Sequence, residues 1–413
     1  MNKISRLLLL AVLTGLSACS THSIMDGHEH AGQKSTQADR EKMWRGMLNK
    51  PPLSATATFD EQGRLWLTTA KDGRLWLQHS DDHGKNFSAA VPVNAAPEHI
   101  AADGENRPQI LATTNRIYVA WVQSLEKPFS GNQRFAVSQD GGHTFSAPVT
   151  VNDNRDIISH RFGTMSVDGE GRVHLLWLDK RDQRAAEAHG GKYTGAAVYH
   201  AVSTDAGAHF STNEKIADQA CECCRIAQAK DNDGTPVIFW RHVFGDNIRD
   251  HALQRLDGKS ALIRASHDNW AIDACPHHGP ALAIGPDGAY HLAWFTGAAD
   301  RAGLYYSRST DRGGHFSAPV KFGDSEAQAA HPALLSLGKA VWLVWKEFDG
   351  HNAVIRAMHS ADSGRSWSAA MTAATTAGAS DHPLLIADGA KAYLSWNTAV
   401  EGYRLTELGT GKK

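Results

Sequence analysis

Short apolar runs punctuate the chain at regular intervals, each closing on a tryptophan. "RIYVAW", "RVHLLW", "TPVIFW", "AYHLAW", "AVWLVW" and "KAYLSW" set Trp121, Trp177, Trp240, Trp294, Trp345 and Trp396 in equivalent slots. Runs of this length, rich in β-branched and aromatic residues and bounded by turn formers, read as strands. A shorter apolar strand and a glycine turn precede each one. A third strand follows, then a polar turn, then a fourth strand such as "SAPVTVN". Long 3.6-residue periodicities are scarce, so the pattern predicts an all-β chain made of four-stranded units.

The polar turn is itself a repeat. "SDDHGKNF", "SQDGGHTF", "STDAGAHF", "STDRGGHF" and "SADSGRSW" share the template Ser-x-Asp-x-Gly-x-x-Phe/Trp. The Ser and Asp side chains can bond nearby backbone N–H groups, the Gly accepts positive φ, and the aromatic ring anchors the turn in the core. This resembles the Asp-box repeat of sialidase-type β-propellers, and the resemblance implies a ring of four-stranded blades. Asp82, Asp140, Asp205, Asp311 and Asp362 are then structural rather than catalytic. The unit between about 224 and 270 is expected to have lost its box, keeping only "SHDNW", and the last unit, from about 382, stops after its third strand. The expectation is a seven-bladed propeller if the segment before residue 55 supplies the missing strand, and a six-bladed one if a unit is misread.

The amino end departs from the pattern. "MNKISRLLLLAVLTGLSACS" carries Lys3 and Arg6, a short apolar run and small residues before Cys19. The run is too short to span a bilayer and reads as a signal peptide. Its ending "LSAC" resembles the lipobox of bacterial lipoproteins, which implies cleavage after residue 18 and lipidation of Cys19. Ser20 at the next position implies sorting to the outer membrane of a Gram-negative cell envelope, facing the periplasm. Residues 19–50 read as a polar tether bearing His22, Met25, His28 and His30, and 51–413 as the propeller. Without residues 1–18 the chain has 40 Lys+Arg against 44 Asp+Glu. That near-neutral balance argues against nucleic acid as a partner. The expected partners are the membrane, through the lipid, and a metal donor or acceptor protein, with the chain itself a monomer.

In a propeller the first strand of each blade lines the axis, and the loops leading into these strands share one face. In order they are "ENRPQI", "SHRFGTM", "CECCRIAQA", "PHHGPALAI", "AHPALLS" and "DHPLLIA", placing Arg107, His160, Arg161, Cys224, Arg225, His278, His331 and His382 around one cavity. Two neighbouring loops carry all the cysteines other than Cys19: Cys221, Cys223 and Cys224 on one, Cys275 beside His277 and His278 on the next. One reading is a soft-metal site formed by these six residues, for copper or zinc, since thiolates select such ions. Arg225, His242, Asp250 and His251 are its expected supporting residues. The other reading is a pair of disulfides, with Cys221–Cys224 and Cys223–Cys275 the feasible pairing. "CECCR" followed by "CPHHGPA" is similar to a subgroup of sialidase-like exported bacterial proteins.

Sialidase activity, as that resemblance implies it, needs three arginines gripping a carboxylate, a Tyr nucleophile with a Glu, and an Asp acid/base. Arg107, Arg161, Arg241 and Arg249 are the candidates for the arginine cluster, and Tyr403 and Glu347 for the nucleophile pair. The Phe-Arg-Ile-Pro motif is absent, with "NRPQ" its nearest match. Three classes remain: a metal-handling envelope lipoprotein, a sialidase-type glycoside hydrolase, and an interaction platform held by disulfides.

Overall fold

The computed structural model describes residues 52–409, together with positions 41, 42 and 46. The signal segment, Cys19 and nearly all of the tether lie outside the described residues. The rest forms seven antiparallel sheets in chain order, the blades of a propeller. Their innermost strands are Ala55–Phe59, Gln109–Ala112, His160–Val167, Ala227–Lys230, Ala281–Ile284, Ala330–Leu337 and Leu384–Asp388. Each blade is a simple meander, its strands hydrogen-bonded in sequence order. The second blade adds a short strand, Ile100–Ala101, beside Ile117–Ser124. A short helix, Arg181–Ala188, lies between the second and third strands of blade 3.

The seventh blade has three strands among the described residues, ending at Gly402–Glu407. Among the described residues no strand from before residue 55 joins it, and the two ends of the ring meet through side chains. Asp381 Oδ2 accepts a hydrogen bond from Ala55 N at 3.2 Å, and Asn397 Nδ2 donates to Leu53 O at 2.8 Å. Arg107 pairs with Asp381 Oδ1 at 3.0 Å. Ala55, Ala57, Leu65 and Leu67 of blade 1 pack with Ile386, Tyr403 and Leu405 of blade 7.

Second strands are buried on both faces because each blade is sandwiched between two others; Val173–Asp179 is buried at every position. The six tryptophans of the sequence pattern sit there, each under 2% or at 2% exposure. A fully buried indole removes ~150–250 Å² from water, worth roughly 4–6 kcal/mol as an upper bound.

All five Asp boxes form the turn before the fourth strand. In each, the Ser Oγ donates to the Asp carboxylate at 2.7–2.8 Å. The Gly amide donates to that Oγ at 2.7–2.9 Å. The same carboxylate oxygen accepts a second backbone amide, as from His209 at 2.9 Å. These bonds hold the box aspartates below the usual carboxylate range. The box aromatic reaches the preceding blade: Phe210 meets Phe135 edge-on at 5.2 Å, and Trp367 meets Tyr306 at 4.8 Å. Gly207 is obligatory, since φ is +92° and a Cβ would sit 1.9 Å from Phe135 Cε1.

Blade 4 corrects one expectation. "SHDNW" is not the remnant of its box; it lies in the connection to blade 5, where Asp268 Oδ2 accepts the Trp294 indole N–H at 2.7 Å. The turn before the fourth strand is instead built on Asp257, whose carboxylate accepts the amides of Lys259 and Ser260 at 3.0 and 2.7 Å.

Candidate functional site

The loop from the outer strand of blade 3, Glu214–Ala220, to the inner strand of blade 4 carries three cysteines. Cys221 N donates to Arg241 O at 2.8 Å, which fixes the start of the loop on blade 4. Its side chains turn inward among Phe162, Leu176, Leu178, Ile226 and Trp240. The three sulfurs form a near-equilateral triangle with sides of 3.8, 3.9 and 4.0 Å, all buried. A point in the plane of that triangle lies about 2.3 Å from each sulfur, the separation of a metal–thiolate bond. All four described cysteines are free thiols.

Charge around the triangle is uneven. Arg249 Nη1 donates to Cys221 Sγ at 3.1 Å. Hydrogen bonds from Cys223 and Cys224, then the Arg241 and Arg249 guanidiniums, pull the Cys221 thiol well below its ordinary pKa. Burial pushes Cys223 and Cys224 well above theirs.

Of the remaining residues expected at this site, Cys275 comes within hydrogen-bonding reach of Cys223, whereas the histidines point elsewhere. Cys275 is exposed at the rim, its sulfur 3.8 Å from Glu222 Oε1, and Glu222 is paired with Lys180. His277 is exposed. His278 turns to Phe295, ring centroids 4.2 Å apart, and to His331 at 5.1 Å. Neither imidazole belongs to the three-sulfur group. Of the expected supporting residues, Arg225 leaves the sulfurs for Glu105, Asp250 pairs with Arg264, and His251 packs on Phe239. His242 packs on Phe244 at 4.5 Å, and burial lowers its pKa to about 4. Arg249, expected instead in an arginine clamp, is the side chain that touches a sulfur.

The other clamp candidates are committed elsewhere. Arg107 bonds Asp381 and the Ala55 and His382 carbonyls. Arg161 lies over the Phe162 ring and 3.9 Å from Asp103. Arg241 donates to the carbonyls of Arg249, His278 and Phe295 and stacks on Trp270. Tyr403 bonds Ser395, whereas Glu347 bonds Trp345 and Arg356, so they share no contact. His160 is a core residue, its ring bonded to Gly131 O and Asn154.

A second constellation sits where lead-in loops of blades 2, 4, 5, 6 and 7 converge, a meeting possible only on the propeller axis. Its centre is Glu105, which the sequence pattern did not single out. Glu105 Oε2 accepts the Arg225 and Gly279 amides at 3.1 and 2.9 Å. Oε1 faces the Arg225 guanidinium at 2.5 Å, His331 Nδ1 at 3.2 Å and His382 Nδ1 at 3.5 Å. Burial opposes the Glu105 charge, but Arg225 and His331 overcome it and hold the carboxyl well below its ordinary range. Burial lowers the pKa of His278, His331 and His382, so all three are neutral imidazoles at pH 7.

No protein-family model and no curated protein matches the sequence. Among solved structures, the chain is similar to an ulvan lyase of polysaccharide lyase family PL25 bound to -[GlcA(1-4)Rha3S]-. The identity is 10% and the TM-score 0.55, over 87% of this chain and 92% of that one. It is likewise similar to the polysaccharide lyase Uly1, at 9% identity and TM-score 0.54, over 87% and 89% of the two chains. The Hadza microbial sialidase Hz136 aligns at 14% identity and TM-score 0.48, over 82% and 74%. At these identities the likeness to the two lyases is one of fold, a shared propeller architecture.

Proposed function

We propose that this chain is a soft-metal-binding propeller, with Cys221, Cys223 and Cys224 holding one copper(I) ion. The observation that carries the reading is the sulfur triangle, whose 3.8–4.0 Å sides leave a metal–thiolate radius at its centre. Thiolate-only donors favour copper(I), with zinc the next candidate. Three thiolates with a monovalent ion carry two surplus negative charges, and Arg241 and Arg249 supply two compensating positive ones. Cys275, at the rim, is suited to receiving or passing on the ion rather than burying it. With a lipidated Cys19, the role is metal handling at the periplasmic side of the cell envelope. The test is metal content of protein purified from the periplasm, with a thiol count on the same sample. One equivalent of copper with reduced thiols supports the reading; no metal, no copper(I) uptake in vitro and four oxidised cysteines would sink it.

A second reading, a carbohydrate-active enzyme of glycoside hydrolase or lyase type, has the fold comparisons in its favour. The two lyases with the same architecture act on polysaccharide by their names, and the comparisons weigh toward this reading more than toward metal binding. The side-chain geometry weighs the other way, because the arginines a sialidase clamp would use are each engaged by internal partners. Turnover of fluorogenic sialosides, or of uronate-containing polysaccharide, would decide for the enzyme.

A further inference from the structure

The axial cluster is not explained by the three-sulfur site. We propose that Glu105, His331 and His382 form a second metal site on the propeller axis, for a borderline divalent ion such as zinc or copper(II). It stands independently of the copper(I) reading, since it shares no ligand with it.

Its three ligand atoms lie within 4.8 Å of one another. The two Nδ1···Oε1 separations are 3.2 and 3.5 Å. An ion with bonds of ~2.0–2.2 Å to nitrogen and oxygen, at angles near 90–110°, needs such edges to be about 2.9–3.5 Å. Two imidazoles and one carboxylate are a donor set used for catalytic zinc, with positions left for water or a ligand. The His331 and His382 rings stack at 3.5 Å, which brings both Nδ1 atoms to the same side, beside Oε1. His382 Nδ1 is buried without a hydrogen-bond partner.

The backbone is bent to build this arrangement. His331 adopts φ +53°, a left-handed conformation uncommon for a side chain of its kind. Gly104 leaves room for His382, since a Cβ there would lie 2.3 Å from the imidazole Nδ1. Gly279 does the same for Glu105, where a Cβ would lie 2.4 Å from Oε2. Two glycines and one strained histidine around one carboxylate point to a site held for a purpose beyond packing.

The Arg225 guanidinium, 2.5 Å from Oε1, occupies the flank a metal ion would take. Its second amine donates to Pro332 O at 2.9 Å, a bond it keeps if it swings off Glu105. Arg225 is therefore a resident counter-ion that an incoming cation displaces. The backbone amides of Arg225 and Gly279 continue to hold Oε2 in either state.

The experiment is a cobalt(II) titration of a variant with Cys221, Cys223, Cys224 and Cys275 all replaced by Ser. One equivalent should bind with visible d–d bands and no thiolate charge-transfer band, and zinc should displace it. Glu105→Gln and His382→Gln in that background should each weaken binding by about 100-fold or abolish it, consistent with loss of a first ligand where an outer partner costs ~10–100-fold. Arg225→Met should tighten it by about tenfold as a competing charge is removed. If the serine variant does not fold, wild-type protein with its thiols loaded with silver(I) takes its place. Failure of cobalt to bind, binding indifferent to Glu105→Gln and His382→Gln, or loss of binding in Arg225→Met would overturn the proposal. Copper(I) binding by the wild-type thiols is measured separately, so that either site can fail without the other.

Discussion

Arg249 is the sharpest probe of the three-sulfur site, because among the described residues it is the charged side chain hydrogen-bonded to a sulfur of the triangle, at 3.1 Å from Cys221. Replacement by Gln keeps most of the volume and an amide able to reach Ile272 O, which Arg249 Nε now bonds at 2.8 Å. What is lost is a buried positive charge beside a thiolate. A pair of charges ~4 Å apart at an effective dielectric of ~20 attracts by about 4 kcal/mol. That is a ceiling, since Arg241 remains nearby and water can enter the vacated space. Outer partners of metal ligands typically change affinity by ~10–100-fold, or about 1.4–2.7 kcal/mol. The lower range is the expected result: copper(I) affinity of Arg249→Gln reduced by about 10–100-fold, with Arg249→Lys recovering part of it. The assay is anaerobic competition with a chromophoric copper(I) chelator, alongside a melting curve to show that the fold is intact. A variant that melts like wild type and binds copper(I) within twofold of it would refute the charge argument.

Three further outcomes follow from the same geometry. Cys275→Ser should cost copper(I) affinity clearly less than Cys223→Ser in that chelator assay, because Cys275 is exposed and outside the triangle; equal losses would mean the rim thiol closes onto the ion. Ser138→Ala removes a buried hydroxyl that donates to Asp140 and accepts from Gly142, and should lower stability by ~1–3 kcal/mol in denaturant melts, an unchanged midpoint counting against the box as a staple. The box aspartates have folded pKa values below their unfolded ones, so their stabilisation is complete above about pH 4 and is lost as pH falls below it. Melting temperature should therefore drop between pH 5 and pH 2.5, and a flat profile would contradict the assignment.

The parts of the molecule legible in the sequence are those encoded locally. An Asp box closes within eight residues, so Ser203, Asp205, Gly207 and Phe210 announce their turn without help from the rest of the chain. The tryptophan slots are equally local. The blade 4 turn was misplaced because "SHDNW" has the box's Ser, Asp and aromatic but lacks its Gly, whereas the real turn has kept only Asp257 and Gly258. Sequence spacing also brought Cys221, Cys223 and Cys224 together correctly, since three neighbours on a tight loop have few ways to diverge. It misled for His278, whose direction is set by packing on Phe295. Glu105 was hidden for a different reason. Its partners Arg225, His331 and His382 are more than a hundred residues away, and a lone Glu in "ENRPQI" carries no local mark. Only the closure of the ring reveals it, and the one available signal was that its loop shares a face with four histidine-bearing loops.

That closure has a mechanical side. Among the described residues the ends of the ring touch without sharing a strand, so the seam between blades 1 and 7 rests on side-chain bonds to Asp381, Asn397 and Asp388 and on one apolar cluster. Leu53 sits at this seam, so tension arriving from the amino end would load the Leu53–Asn397 bond first and the Ala55–Asp381 bond next, one after the other. Every other blade boundary is continuous chain and would be loaded only later. In an optical trap, pulling on the two termini should give a small early opening before the main unfolding event, and Asp381→Asn should bring that step to lower force. Force applied at the amino end thus meets a built-in first point of yield, set at the far side of the ring from the cysteines.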